Sequence, residues 1–238
     1  LPFYGAVAIC IDDAEARALI PMLTRRVITY GSDTSADYRA TNVQVAGASW
    51  CFDVERGPDK PMLQVSLGIP GQHNVMNALA AIAIASDEGI ADEAIVQGLA
   101  EFAGVDRRFE ITAPVNIDDT TITLVDDYGH HPTEVEAVIA TARQVWPERR
   151  VVMVYQPHRF SRTKDLFDDF VRVLSTVDVL LLLDVYSAGE QAIDGADSRS
   201  LIASIRQRGQ ISPLHAQDTT EAMQLLPNIC ETDDVVLV

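Results

Sequence analysis

Apolar, β-branched runs alternate with amphipathic segments along most of the chain, and the alternation changes character near residue 104. Residues 6–11 form an apolar run. Asp12-Asp13 follows as a cap for a helix over 14–23, and a second run at 26–30 is closed by Gly31. This order predicts a βαβ unit and a parallel sheet. Residues 37–45, 49–54 and 62–67 are β-rich, with a turn at 57–61 between the last two, and are expected to pair antiparallel. A loop over 69–74 leads into an Ala-rich apolar helix at 77–86, and a further helix is expected at 91–102. Residues 104–110 break the pattern, so a domain boundary is placed near Gly104.

From residue 111 the pattern becomes regular. Strands at 122–125, 150–155, 179–185, 211–215 and 235–238 alternate with helices at 133–146, 164–174, 198–208 and 219–226. Such alternation predicts an α/β fold with a doubly wound, mostly parallel sheet. Right-handed crossovers are assumed. No internal repeat or low-complexity segment interrupts it.

Polar residues gather where these strands end. Asp126, Asp127, Tyr128 and His130 follow the first strand of the second part. Gln156, His158, Arg159, Ser161 and Arg162 follow the second, and Asp184, Tyr186, Ser187 and Glu190 the third. In open α/β sheets that rim is where ligands bind. Arg159 and Arg162 share one face at a helix start, a setting suited to a carboxylate or phosphate. The alternative is a solvated first turn, which the neighbouring donors His158 and Ser161 disfavour. His130 and His131 are adjacent, so their side chains diverge; His130 is favoured as the functional one, and His131 is equally well a packing or capping residue. Asp126 and Asp127 could cap the turn or take ribose hydroxyls, and the residues alone leave this open. Asn74 and Asn77 lie three apart, spaced to read an adenine edge; a helix cap would explain Asn74 but not Asn77.

Composition narrows the partners. The 238 residues are 47% hydrophobic and 22% charged, with a net charge of −17. That balance speaks against nucleic acid, and no apolar run is long enough to span a bilayer. Against this acidic background, Arg107, Arg108, Arg149, Arg150, Arg159, Arg162 and Lys164 cluster and point to a small anionic ligand, with Arg149 and Arg150 expected merely to flank a turn. Cys10, Cys51 and Cys230 show no CxxC spacing and no HExxH occurs, so no metal site is expected and a reducing cytoplasm is. Neither GxxxxGK[ST] nor GxGxxG is present. If the chain uses ATP, the phosphate loop lies outside it, and a nicotinamide dehydrogenase is disfavoured. The chain opens and closes on strands and is read as a fragment of a longer protein.

Eight collinear motifs carry a resemblance that spans the chain. They are Leu1-Pro2-Phe3-Tyr4-Gly5, Asp37-Tyr38-Arg39, the stretch Pro70 to Ala78, Arg107-Arg108-Phe109-Glu110, Asp126 to Glu134, Gln156 to Thr163, Asp184 to Glu190, and Gly195-Ala196-Asp197-Ser198. Together they resemble the Mur ligases of peptidoglycan synthesis, nearest to the members that join L-alanine to UDP-N-acetylmuramate. Members that recycle murein tripeptide share the His-His-Pro segment but differ at Tyr128-Gly129 and Gln156 to Arg159. A non-catalytic nucleotide or acidic-ligand module is the rival from another class.

The resemblance implies that residues 1–104 are the C-terminal part of a central ATPase-type α/β domain. Residues 105–238 would be a Rossmann-like domain, incomplete at its end. It implies ATP with Mg2+, activation of the muramoyl carboxylate as an acyl phosphate, and attack by the alanine amine. Asn74 and Asn77 would contact adenine, Asp127 the ribose and Arg108 the γ-phosphate, with the two parts closing about a hinge at 104–106. Arg108 and His130 would be catalytic. Tyr128, His130, His158, Arg159 and Arg162 would line the pocket for UDP-N-acetylmuramate and L-alanine. The Mg2+ ligands are expected outside the chain, and a homodimer is left open.

Overall fold

The computed structural model describes residues 5–46, 49–58 and 60–238. Leu1 to Tyr4 of the first motif, and Asp59 of the expected turn, lie outside the described residues. The chain divides into two compact units, Leu1–Gly104 and Val105–Val238.

The first unit runs β1 (Ala6–Cys10), α1 (Ala14–Leu19), a short 3-10 turn, β2 (Arg26–Gly31), β3 (Tyr38–Ala46), β4 (Ser49–Glu55), β5 (Leu63–Leu67), α2 (Gln72–Asp87) and α3 (Asp92–Glu101). The strands lie in the order β1-β2-β3-β4-β5. The first two pairings are parallel and the last two antiparallel. Asp13 caps α1 by accepting the Ala16 N–H at 2.7 Å. Alternate residues Trp50, Phe52, Val54, Leu63, Val65 and Leu67 face inward and pack with Val75, Leu79 and Ile82 of α2. That helix begins at Gln72, not at 77 as the sequence suggests. Its buried positions 75, 78, 79, 82 and 83 have helical spacing. The polar Gln72, His73 and Asn74 disguise its first turn, and Gly71, at φ +111°, supplies the sharp entry.

The second unit runs β6 (Glu110–Ile117), β7 (Thr120–Asp126), α4 (Pro132–Val145), β8 (Val151–Tyr155), α5 (Phe160–Asp165), α6 (Phe167–Leu174), β9 (Val179–Leu183), α7 (Ser198–Arg208), β10 (Leu214–Ala216), α8 (Thr219–Ile229) and β11 (Val235–Leu237). The sheet order is β10-β9-β8-β11-β7-β6, parallel except for β6 against β7. Val125, Val151, Met153, Tyr155, Leu180, Leu182, Val235 and Leu237 share a core with α4, α6 and α7. The alternate residues Ile122, Val152, Val236, Leu181 and Leu183 face α8. Helices therefore cover both faces, as a parallel sheet requires.

Three local expectations change. The edge strand β6 was not anticipated, because its residues are mostly exposed and it carries Pro114. Proline is tolerated there because an edge strand has an unpaired side, and the pairing with β7 shifts register between Thr112 and Val115. The helix expected at 164–174 is two helices, α5 starting at Phe160 and α6, broken at Leu166 with φ −115°. Arg149 and Arg150 flank a turn but do more than that. Arg150 grips the Asp234 carboxylate through Nε at 3.0 Å and Nη2 at 2.8 Å, and Asp234 is only 2% exposed. Arg149 Nη2 donates to Thr123 Oγ1 at 2.9 Å and to the Asp234 carbonyl at 3.0 Å. The pair thus ties β7, β8 and β11 together at the sheet edge away from the polar rim.

Candidate functional site

The rim is built at the C-terminal ends of β7, β8 and β9. At the end of β7, Asp127 organises the turn. Its Oδ1 accepts the Gly129 N–H at 2.7 Å and its Oδ2 the Phe109 N–H at 2.8 Å. A Cβ on Gly129 would stand 2.8 Å from that Oδ1, so a larger residue there would push the Asp127 carboxylate aside. The Tyr128 N–H donates to the Arg107 carbonyl at 2.8 Å, which fastens the arginine loop to the turn. Arg107 and Phe109 both take left-handed φ values, +57° and +51°, so Arg108 sits between two strained residues. Phe109 itself is buried and stacks on Trp146, anchoring the loop in the core.

The start of α4 explains the two histidines. His131 is the N-cap: its Nδ1 accepts the Thr133 N–H at 3.2 Å. Pro132 fills the first helical position. Glu134 closes a capping box by accepting the His131 N–H at 3.0 Å, and also accepts the His130 N–H at 3.0 Å. His131 is therefore committed to the helix end and His130 turns to the rim. His130 Nδ1 lies 3.1 Å from the Tyr128 carbonyl. A carbonyl only accepts, so Nδ1 carries the proton and a neutral ring leaves Nε2 as an acceptor.

From there the side chains form a continuous row. The Arg107 and Arg108 guanidiniums lie 5.2 and 5.9 Å from the Tyr128 ring. Arg107 is paired with Asp126 at 3.3 Å and Arg108 with Glu134 at 3.8 Å. Tyr128 meets His130 edge-on at 5.4 Å, His130 lies 6.0 Å from His158, and His158 stacks on Tyr186 at 5.3 Å. The loops after β8 and β9 are stitched by two backbone bonds of 2.8 Å, from the Tyr186 N–H to the Pro157 carbonyl and from the Arg159 N–H to the Tyr186 carbonyl. Arg159 is held at φ +75° at the N-cap of α5. Arg162, one turn on, donates Nη1 to the His158 carbonyl at 3.2 Å. The exposed Arg159 guanidinium acts on Glu190 and helps to hold that carboxyl below its usual range. Ser161 gives its N–H and hydroxyl to Glu190, at 3.0 and 2.7 Å.

The electrostatics follow from this packing. Burial lowers the His158 pKa, and the nearby Arg162, His130 and Arg159 add to the effect against Glu190. At neutral pH this ring is a neutral, polar surface. Partial burial pushes the Glu134 carboxyl up, but the two backbone N–H groups, His130 and Arg108 outweigh it and hold it below the usual carboxylate range.

Thus the structure brings Arg108, Tyr128, His130, His158, Arg159 and Arg162 onto one rim with Asp127 beneath them. Asn74 and Asn77 belong to the first unit. Asn74 donates to the Pro70 carbonyl at 2.6 Å and accepts from Asn77 Nδ2 at 3.3 Å. The exposed Asn77 keeps its carbonyl oxygen and a second N–H for an outside group, a set that fits a base edge. Asp184 and Gln156, both exposed at the ends of β9 and β8, are engaged with neighbours. Asp184 pairs with His215 Nε2 at 2.8 Å, and its carbonyl accepts from Gln156 at 3.1 Å, tying β9 to β10. The sequence assigns no role to two contributors: Glu134, which lies inside the Asp126 to Glu134 motif three residues beyond His131, and His215, which carries no signal. Among the described residues no group of three or more His, Cys, Asp or Glu could hold a metal ion. Among them no helix is long and apolar enough to cross a membrane.

Solved structures share this arrangement of strands and helices. UDP-N-acetylmuramate-alanine ligase MurC from Thermotoga maritima is similar at 27% identity and a TM-score of 0.69, over 88% of this chain and 43% of that one. The murein peptide ligase mpl from Psychrobacter arcticus 273-4 shares the fold at 20% identity and a TM-score of 0.67, over 100% and 48%. MurF from Acinetobacter baumannii does so at 19% and 0.66, over 100% and 49%. The chain spans about half the length of these structures. Residues 1–85 match the Mur ligase middle domain and residues 107–238 the Mur ligase, glutamate ligase domain. A match over more than half of the chain, on the unit that carries the rim, places the chain in the Mur ligase family.

Proposed function

We propose that the chain is part of an ATP-dependent ligase that joins L-alanine to the carboxylate of UDP-N-acetylmuramate in peptidoglycan precursor synthesis, a cytoplasmic reaction. One observation carries this reading: the row from Arg108 through Tyr128, His130 and His158 to Arg159 and Arg162 lines one rim with cations and polar rings. The carboxylate, the acyl phosphate and the released phosphate of such a ligation are all anionic, so positioning and charge stabilisation dominate. The similarity to MurC, higher in identity than that to mpl or MurF, and the residues Tyr128-Gly129 and Gln156 to Arg159 support alanine as the amine donor.

Asn77, braced by Asn74, is assigned to the adenine edge and Asp127 to the ribose. ATP supplies the phosphoryl group that activates the carboxylate. Arg108 faces the phosphate charge. Arg159 and Arg162 hold the carboxylates of the muramoyl group and of alanine, guanidinium forks being matched to such groups. His130, with Nδ1 committed to a carbonyl, presents Nε2 to take a proton from the alanine ammonium, and Tyr128 and His158 form the wall beside it. The described residues hold no metal-ligand group, so no step is assigned to magnesium.

The test is phosphate release by the intact protein with ATP, magnesium and UDP-N-acetylmuramate, with and without L-alanine. Release is expected only with all components. Release that responds to murein tripeptide and not to L-alanine would reassign the amine donor, and no release with either would leave a binding module.

A further inference from the structure

The Glu134 side chain reaches both the arginine loop and the two histidines of the rim turn. It stands at the third position of α4. Its carboxylate is immobilised by two backbone N–H groups, those of His130 and His131, at 3.0 Å each. The same carboxylate lies 3.8 Å from Arg108 Nη1 and 3.7 Å from His130 Nδ1. Arg108 is otherwise loosely held. Its side chain is 51% exposed, and its other contact is the face of Tyr128, which is itself exposed. Among the described residues Glu134 is the ion-pair partner of Arg108.

We infer that Glu134 is a positioning residue that aims the Arg108 guanidinium across Tyr128, a role that rests on Arg108 being the phosphate-facing group of the proposed ligase. A fixed carboxylate at the helix start gives a long, exposed arginine one preferred direction, and the left-handed residues on either side of Arg108 limit where its backbone can go. The carboxylate withdraws some positive charge from Arg108 in the free enzyme. What it provides is orientation before the phosphate arrives, which lowers the ordering cost at the moment of reaction. His130 shares the carboxylate, so the cation and the proton acceptor keep a set spacing.

Capping and positioning can be separated. Glutamine serves the capping box as well as glutamate does, so Glu134→Gln keeps the helix start and removes the charge. In the intact protein this variant is expected to melt with the wild type, to lower kcat about ten-fold, and to leave KM for UDP-N-acetylmuramate unchanged. In an Arg108→Ala background it is expected to cost nothing further. Unchanged kcat, an equal loss in the Arg108→Ala background, or a loss that appears only with a lowered Tm would each overturn the inference. If the wild type itself shows no ligase turnover, the functional reading fails. The inference then stands or falls on the Arg108 Nε–H resonance, assigned with Arg108→Lys. Greater mobility of that group in Glu134→Gln supports positioning, and unchanged mobility overturns it.

Discussion

His158 and Tyr186 stack face to face, 5.3 Å between ring centroids and 29° from parallel, and so join the end of β8 to the end of β9. Two backbone bonds lie beside them, so the stack sets the direction of the His158 ring more than it holds the loops together. Tyr186 is 55% exposed, and little buried surface is lost with it. An aromatic pair contributes about 0.5–1.5 kcal/mol. Tyr186→Ala is expected to raise KM for the muramoyl substrate by about two- to ten-fold, the equivalent of that energy, with Tm nearly unchanged. Steady-state kinetics beside a thermal melt decides it, and a large fall in Tm with unchanged KM would make the tyrosine a structural clamp.

Arg108 and Arg159 should fail differently. On the proposed assignment Arg108 meets charge that develops during reaction, so Arg108→Ala is expected to lower kcat by about 100-fold or more while UDP-N-acetylmuramate binding barely changes. Arg159, exposed and acting on Glu190, is proposed to hold a charge already present in the substrate. Arg159→Ala is expected to raise KM by about ten-fold or more and to spare kcat. Equal effects of the two substitutions on kcat and KM would show the roles to be wrongly divided.

The pH dependence of folding carries a signature of the rim. Burial first, then Arg162, His130 and Arg159, hold the His158 pKa below its ordinary 6.5. Between that value and 6.5 the unfolded chain binds more protons here than the folded chain does. Stability from this group is therefore complete above 6.5 and is lost as pH falls through the folded value. The depressed carboxyls, such as Glu134 and Asp178, lose theirs only at more acid pH, around or below their ordinary 4.5 and 3.8. Urea unfolding from pH 7.5 to 5.5 should show stability declining with acid in the wild type and a flatter line in His158→Gln. Parallel lines would mean that His158 titrates normally.

At the opposite edge the expected effect is on stability alone. Asp234 is 2% exposed and receives Arg150 through two nitrogens and the Glu231 N–H at 2.7 Å. Asp234→Ala strands that N–H and removes two bonds from Arg150, which keeps Glu231 and the Ile229 carbonyl, and is expected to cost about 2 kcal/mol. Chemical denaturation measures it; a loss below about 1 kcal/mol would show the pair to be solvated.

Much of this chain is legible from its pattern. The helix at Ser198–Arg208 has the bounds that its Asp197 cap and Gly209 stop suggest. The apolar strand stems confine polar chemistry to the rim, which is why Asp127, Tyr128, His130, His158, Arg159 and Arg162 could be named before any fold was known. Local signals also mislead where burial is missing: β6 alternates on an exposed edge, and α2 starts among polar residues.

What the sequence determined by itself is most of the elements and the polar residues at their ends, because periodicity, caps and turns are local; the exposed β6 and the break at Leu166 escape it. Where those ends meet was decided only by tertiary structure. The last strand, β11, inserts between β7 and β8 with register Val235 opposite both Thr123 and Val151, and no neighbouring residue in the chain announces it. The same long-range packing turns Glu134 from a helix cap into the partner of Arg108, lays His158 against Tyr186, and diverts Asp184 to His215. Such pairings depend on distances across the sheet, which residue spacing along one strand does not encode.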